Sequence, residues 1–149
     1  MHQFQWPVRV YYEDTDSGGV VYYANYLKFM ERARSEWLRS LGVEQDILLA
    51  SEGVIFAVRS AHMEYLKPAR FNDMLSVSVA VEQRGRASIV FEQQVMRLAA
   101  AASTCRNNEQ EYLLCCTGRV KIACLDSNTL RVCPIPPSIL AKISVGDAS

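Results

Sequence analysis

Between residues 24 and 41 the apolar positions recur every three to four residues. Leu27, Met30, Arg34, Trp37 and Leu41 fall on one stripe, flanked by Ala33 and Leu38, while Lys28, Arg32, Ser35 and Arg39 decorate the other side. That spacing predicts one long amphipathic helix, with Gly42 as its C-terminal stop. Before it, residues 8–12 are β-branched and aromatic and read as a strand, which the acidic, glycine-rich segment 14–19 breaks. Residues 44–53 predict a short second helix ending in the Glu52-Gly53 turn.

Further along, the period falls to two. Residues 54–66 form a long predicted strand closed by Lys67-Pro68. Leu75, Val77, Val79 and Val81 then alternate with Ser76, Ser78, Ala80 and Glu82, as in a half-buried strand. Gly85 marks a hairpin into residues 87–98, and a further strand covers 111–125 with Tyr112, Leu114, Cys116, Val120 and Ile122 on one face. Residues 130–137 are proline-broken and edge-like, and 138–143 predict a short terminal helix. The alanine-rich 99–110 segment fits either an extended strand or a helical turn. One long helix followed by consecutive antiparallel strands is an α+β layout, in which a single curved sheet wraps the helix and buries its stripe, Trp37 and Leu41 included. Sheet edges would remain free for a second subunit.

Composition narrows the function classes. The 149 residues suit one domain, 1–149, with enough apolar content for a sizeable core. Sixteen basic and sixteen acidic residues cancel, so no overall field recruits nucleic acid or an anionic membrane. The five cysteines are odd in number and lack CxxC spacing, and only two histidines accompany them; they read as reduced thiols, with no zinc site and no other metal or cofactor implied. No Lys or Arg precedes Arg9 and no apolar run approaches a membrane span, so neither a signal peptide nor a transmembrane segment is expected, and the expected compartment is the cytoplasm.

The chemistry concentrates in residues 11–34, YYEDTDSGGVVYYANYLKFMERAR. This order can hold a carboxylate, Asp14 or Asp16, beside the amide-rich start of a helix. Amides near Tyr23, Ala24 and Asn25 would polarise a carbonyl oxygen, although Asn25 also reads as an ordinary N-cap. The acids and glycines alone would make an Asx-type turn, and a calcium loop fails because Gly18 and Asn25 stand at ligand positions. Glu31 reads as a surface charge if exposed and as a functional group if buried. His62, without a partner pattern, reads as structural, and Arg84-Gly85-Arg86 offers a hairpin grip for phosphate or simply solvated strand ends.

The 11–34 run resembles the hotdog-fold acyl-CoA thioesterases of the 4-hydroxybenzoyl-CoA thioesterase type, and most closely their YbgC branch, associated with the bacterial Tol–Pal system. The likeness continues through Glu64-Tyr65-Leu66-Lys67-Pro68-Ala69-Arg70, Asp73, Gly118-Arg119-Val120 and Pro134-Ile135-Pro136. It implies a hotdog fold, a curved antiparallel sheet around one long central helix, in a homodimer or homotetramer with active sites between subunits. It also implies hydrolysis of an acyl-CoA, or acyl carrier protein, thioester. By resemblance the catalytic positions are Asp16 as the carboxylate, Tyr23 through its polarising amide, and Glu31 as an acidic helix residue near the site. Gly19 and the Val58-Arg59-Ser60 segment are the expected substrate-binding positions. YbgC-like members usually carry His where this chain has Tyr23, so the implied role there is the backbone's. A non-catalytic acyl-CoA or acyl-carrier-protein binding module is the alternative, and the acid beside the glycine pair argues against it.

Overall fold

The computed structural model describes residues 3–98 and 112–143; the 99–110 segment lies outside the described residues. Five strands, β1 (Phe4–Arg9), β2 (Val54–Tyr65), β3 (Met74–Arg84), β4 (Ser88–Leu98) and β5 (Tyr112–Asp126), form one antiparallel sheet in the order β1-β3-β4-β5-β2. The helix α1 (Asn25–Ser40) packs on the sheet, followed by α2 (Gln45–Glu52), and a single turn, α3 (Pro137–Leu140), closes the described chain. Register shifts between Val58 and Ser60, Val81 and Gln83, and Val95 and Met96 bend the strands around the helix.

α1 ends as its sequence predicts. Gly42 adopts φ +83°, its amide bonds to the Arg39 carbonyl and that of Val43 to the Leu38 carbonyl, the paired bonds of a Schellman motif. The buried face differs from the predicted stripe. Tyr26, Phe29, Met30, Ala33, Arg34 and Leu38 are buried, whereas Leu27 is 39% exposed and Trp37 and Leu41 are only partly covered. Tyr26 and Phe29 are apolar on a neighbouring register, and a tertiary bond selects it: the Tyr26 hydroxyl accepts from the Ala69 amide at 3.2 Å. Against this face lie Leu75, Val77, Val79 and Val81 of β3 with Ile89, Phe91 and Val95 of β4, all buried. Trp37 meets Phe91 edge-on at 5.4 Å between ring centroids.

The first strand lies earlier than the predicted 8–12. It pairs with β3 from Phe4↔Val79 to Arg9↔Met74, and residues 12–14 form a 3-10 turn instead. Pro7 obscures this strand in the sequence; it is tolerated because β1 is the outermost strand on its side. The terminal helix likewise starts earlier and is shorter than 138–143, with Pro137 in its first turn. The 130–137 segment returns along β5 through Leu125↔Val132, where β4 has ended.

Among the described residues four polar or charged side chains are buried, Asp14, Arg34, Ser78 and Gln93, and the last three meet between helix and sheet. Gln93, fully buried on β4, accepts at Oε1 from Arg34 Nη1 (2.9 Å), and its Nε2 donates to the Met30 carbonyl (3.1 Å) and the Ser78 carbonyl (3.3 Å). The β3–β4 register passes from Val77↔Val95 to Ala80↔Glu92, and in that gap the Gln94 amide donates to Ser78 Oγ. Side chains there stand in for ladder bonds and tie helix to sheet.

Candidate active site

The acidic segment folds into a small hairpin that feeds directly into α1. Thr15 bridges Val21, the Asp16 amide donates to the Val20 carbonyl, and the Gly19 amide donates to the Asp16 carbonyl. Asp16-Ser17-Gly18-Gly19 is therefore a tight turn, and Gly19, at φ +78°, supplies the left-handed residue that three-residue hairpin loops require. Asp16 Oδ1 accepts from the Gly18 amide at 2.9 Å, the Asx-type bond expected of these residue types. The carboxylate is exposed, and it lines a surface recess of about 430 Å³ with Tyr12, Thr15, Gly19 and Phe71.

Asp14 has the opposite surroundings. It is buried, its Oδ2 accepts from the Tyr11 amide, and its carbonyl accepts from both the Tyr22 amide and Asn25 Nδ2. Asn25 is thus not the N-cap. Ala24 holds that position without a side-chain bond, and the Asn25 side chain instead clamps the helix start to the hairpin, two residues from Asp16. The Lys67–Asp73 segment braces the same unit: Val21 donates to the Ala69 carbonyl, Val20 bridges Arg70, and Asp73 Oδ2 accepts from the Arg70 amide.

The helix start is open. No acid lies in the first turn of α1, the cap residue offers no side-chain acceptor, and among the described residues the Tyr23 and Ala24 amides have none. Asn25, by contrast, donates its amide to the Tyr22 carbonyl. Two free amides at the positive end of a 16-residue helix can receive an oxygen that gains negative charge. The Tyr23 ring is 60% exposed, meets Tyr65 edge-on (6.0 Å between centroids) and lies tilted against Tyr22 (4.9 Å). The bond between the Tyr22 and Tyr23 phenols raises the Tyr22 pKa.

The remaining predicted positions divide. Glu31 is exposed, yet with Val58 it lines a second cavity of about 260 Å³ beside Arg34, Leu38, Phe56 and Phe91. Arg59 and Ser60 are exposed at the register shift on β2, which forms the free edge of the sheet opposite β1, and they line neither space. The recess holding Asp16 and Gly19 does not include Tyr23, so the single chain presents acid and amide on adjoining surfaces and not in one enclosed pocket. Arg34 was visible in the sequence only as a charge within an apolar stripe. Gln93 gave no signal beyond a polar residue in a strand. Arg84 is tied into the fold: its Nη1 donates to the Leu140 and Ile143 carbonyls at the last described turn. His62 is exposed, with Nε2 3.7 Å from Glu64 Oε1. Cys115, Cys116 and Cys124 are buried free thiols, and burial pushes Cys116 and Cys124 up to about 12, which disqualifies both as nucleophiles at neutral pH.

Known proteins resemble this chain in sequence and fold. The chain is 39% identical over 138 residues to the acyl-CoA thioesterase YbgC of Haemophilus influenzae, covering 93% of this chain and 92% of that protein. It is 42% identical over 139 residues to the acyl-CoA thioester hydrolase YbgC of Escherichia coli, covering 93% and 94%. Among solved structures, a probable thioesterase from Bartonella henselae superposes with a TM-score of 0.74 at 30% identity, over 89% of this chain and 98% of that one. The 4-hydroxybenzoyl-CoA thioesterase of Pseudomonas superposes at 0.81 with 17% identity, over 95% and 99%, a likeness of fold alone. With the signature of the thioesterase-like superfamily running from residue 10 to residue 143, the chain belongs to that superfamily, on the YbgC branch of its hotdog-fold hydrolases.

Proposed function

We propose that the chain hydrolyses an acyl-CoA thioester to a free acid and CoA, with Asp16 as the catalytic carboxylate and the Tyr23 amide as the group that polarises the carbonyl. The observation that carries this reading is the open start of α1, clamped through Asn25 to the hairpin that bears Asp16. With the thioester oxygen at the Tyr23 amide, the helix end favours charge developing on that oxygen. Asp16 then acts by one of two routes. It attacks the carbonyl carbon to give a mixed anhydride and CoA thiolate, which water resolves, or it takes a proton from a water that attacks instead. Asp16 Oδ2, free of protein donors among the described residues, is the atom available for either.

Exposure of this acid suits a site completed by a second subunit. The free edge of β2 and the exposed rings of Tyr12, Tyr23, Tyr65 and Phe71 supply surface for a homodimer or homotetramer that would exclude water from the ester. Gly19 lets the acyl carrier approach the hairpin closely, Glu31 and Val58 border the acyl group, and Arg59 and Ser60 lie along the carrier's path. The carrier is CoA or an acyl carrier protein, and the site of action is the cytoplasm.

Thiol release from a panel of short, long and aromatic acyl-CoAs tests the reading. The native protein should release CoA, and Asp16→Asn should retain substrate binding while losing about 10²-fold or more in kcat. Native rates in Asp16→Asn would remove Asp16 from the mechanism. Saturable binding by the native protein without CoA release would make it a binding module.

A further inference from the structure

The second cavity joins hydrocarbon walls to a buried cation. Leu38, Phe56, Phe91 and Ile122 line it, and among them stands Arg34, only 7% exposed. Its Nη1 donates to Gln93 Oε1, and no described acid forms an ion pair with it. Among the described residues no sealed side-chain nitrogen lacks a partner, so Nε and Nη2, which have no protein acceptor, open on accessible space. The space that Arg34 borders is this cavity.

A guanidinium taken from water without a counter-ion is costly, and burial lowers the Arg34 pKa, with Glu31 pulling it partly back. Glu31 is exposed at the same cavity, where water screens its charge far more than that of the buried arginine. Arg34 stands nine residues, or two and a half turns, beyond the first residue of α1, about 14 Å of axial rise.

We infer that this cavity receives the far end of the acyl group and that Arg34 selects acyl chains of medium length ending in a carboxylate. The inference rests on the reading above that the thioester sits at the Tyr23 amide. Arg34 is a specificity residue in this scheme: a bidentate or single charge-assisted bond to the distal carboxylate favours the ω-carboxyacyl thioester over its methyl-ended counterpart. The apolar walls hold the methylenes between.

The test compares acyl-CoAs of equal length ending in methyl, hydroxyl or carboxyl, from roughly four to twelve carbons so as to bracket that rise. The native enzyme should show a carboxyl-to-methyl ratio in kcat/KM of about tenfold or more at the best length, as one hydrogen bond to a charged group supports. In Arg34→Gln that ratio should collapse toward unity, and Arg34→Lys should restore part of it, each ratio being taken within one protein so that general losses cancel. A native ratio at or below unity at every length, or an equal gain from a terminal hydroxyl, overturns the inference. If the variants do not fold, inhibition of the native enzyme by free medium-chain diacids against monoacids decides: equal inhibition overturns it. If no acyl-CoA is cleaved, the hydrolase reading fails by itself, and calorimetric binding of the same diacids and monoacids still tests the pocket, with tighter diacid binding upholding it and equal binding refuting it.

Discussion

Replacing Gln93 by leucine should be among the most damaging single changes in this protein. The substitution removes the one acceptor for Arg34 Nη1 among the described residues, at 2.9 Å, and the Nε2 donor to the Met30 carbonyl, at 3.1 Å. Both residues are buried, so Nη1 loses its partner within the interface between α1 and the sheet, while Nε and Nη2 keep the adjoining cavity. A hydrogen bond to a charged group contributes about 1.5–3 kcal/mol, and leaving the charged donor unmet accounts for most of the cost. The Met30 carbonyl faces its own helix and is less affected, and the 3.3 Å contact to the Ser78 carbonyl adds little. The expected loss is about 3 kcal/mol, and Tm should fall by roughly 6–12 °C for a chain of this size. Arg34→Met strands only a neutral acceptor and should cost about 1–2 kcal/mol. The double variant should cost less than Gln93→Leu alone, because two apolar groups of similar shape leave nothing unmet. Urea unfolding followed by far-UV circular dichroism, at one protomer concentration for all four proteins, measures the cycle. A loss below about 1 kcal/mol for Gln93→Leu, or costs that simply add in the double variant, would refute the account of this polar bridge.

Other substitutions probe separate parts of the fold. A Cβ at Gly118 would lie 2.6 Å from Met30 Sδ and 2.9 Å from Met63 Sδ, so Gly118→Ala should lower stability by about 1–2 kcal/mol in a thermal melt, and an unchanged Tm would show that the thioethers have room to move. Tyr26→Phe leaves the Ala69 amide without its acceptor and should cost about 1 kcal/mol while speeding hydrogen exchange at that amide; unaltered exchange contradicts the bond. Burial holds the Cys116 thiol at about 12 against an ordinary 9.0, so the folded state keeps a proton that the unfolded chain has lost, and stability should fall as pH rises through that window. Cys116→Val should flatten the fall, and an identical slope in the variant would count against a buried neutral thiol.

The sequence by itself determined most of the scaffold. Alternation in β3, the 3.6-residue period and glycine stop of α1, and the hairpin at Gly85 are local signals, and each appears where its residues predict within one or two positions. Asp16 beside a glycine pair was legible too, since a tight turn with a left-handed residue demands Asp and Gly whatever surrounds it. Tertiary structure decided the rest. Leu27 and Tyr26 both fit an amphipathic helix, and only the Ala69 amide and the sheet settled which face turned inward. Pro7 hid β1 because a missing donor matters only for the side of a strand that is paired, and pairing is not local information. Asn25 looked like a cap, but its side chain found a stronger claim in the Asp14 carbonyl, 11 positions away in the chain. Arg34 and Gln93 acquire meaning only together. They are 59 residues apart in sequence, and their one bond joins the central helix to the sheet at two buried side chains.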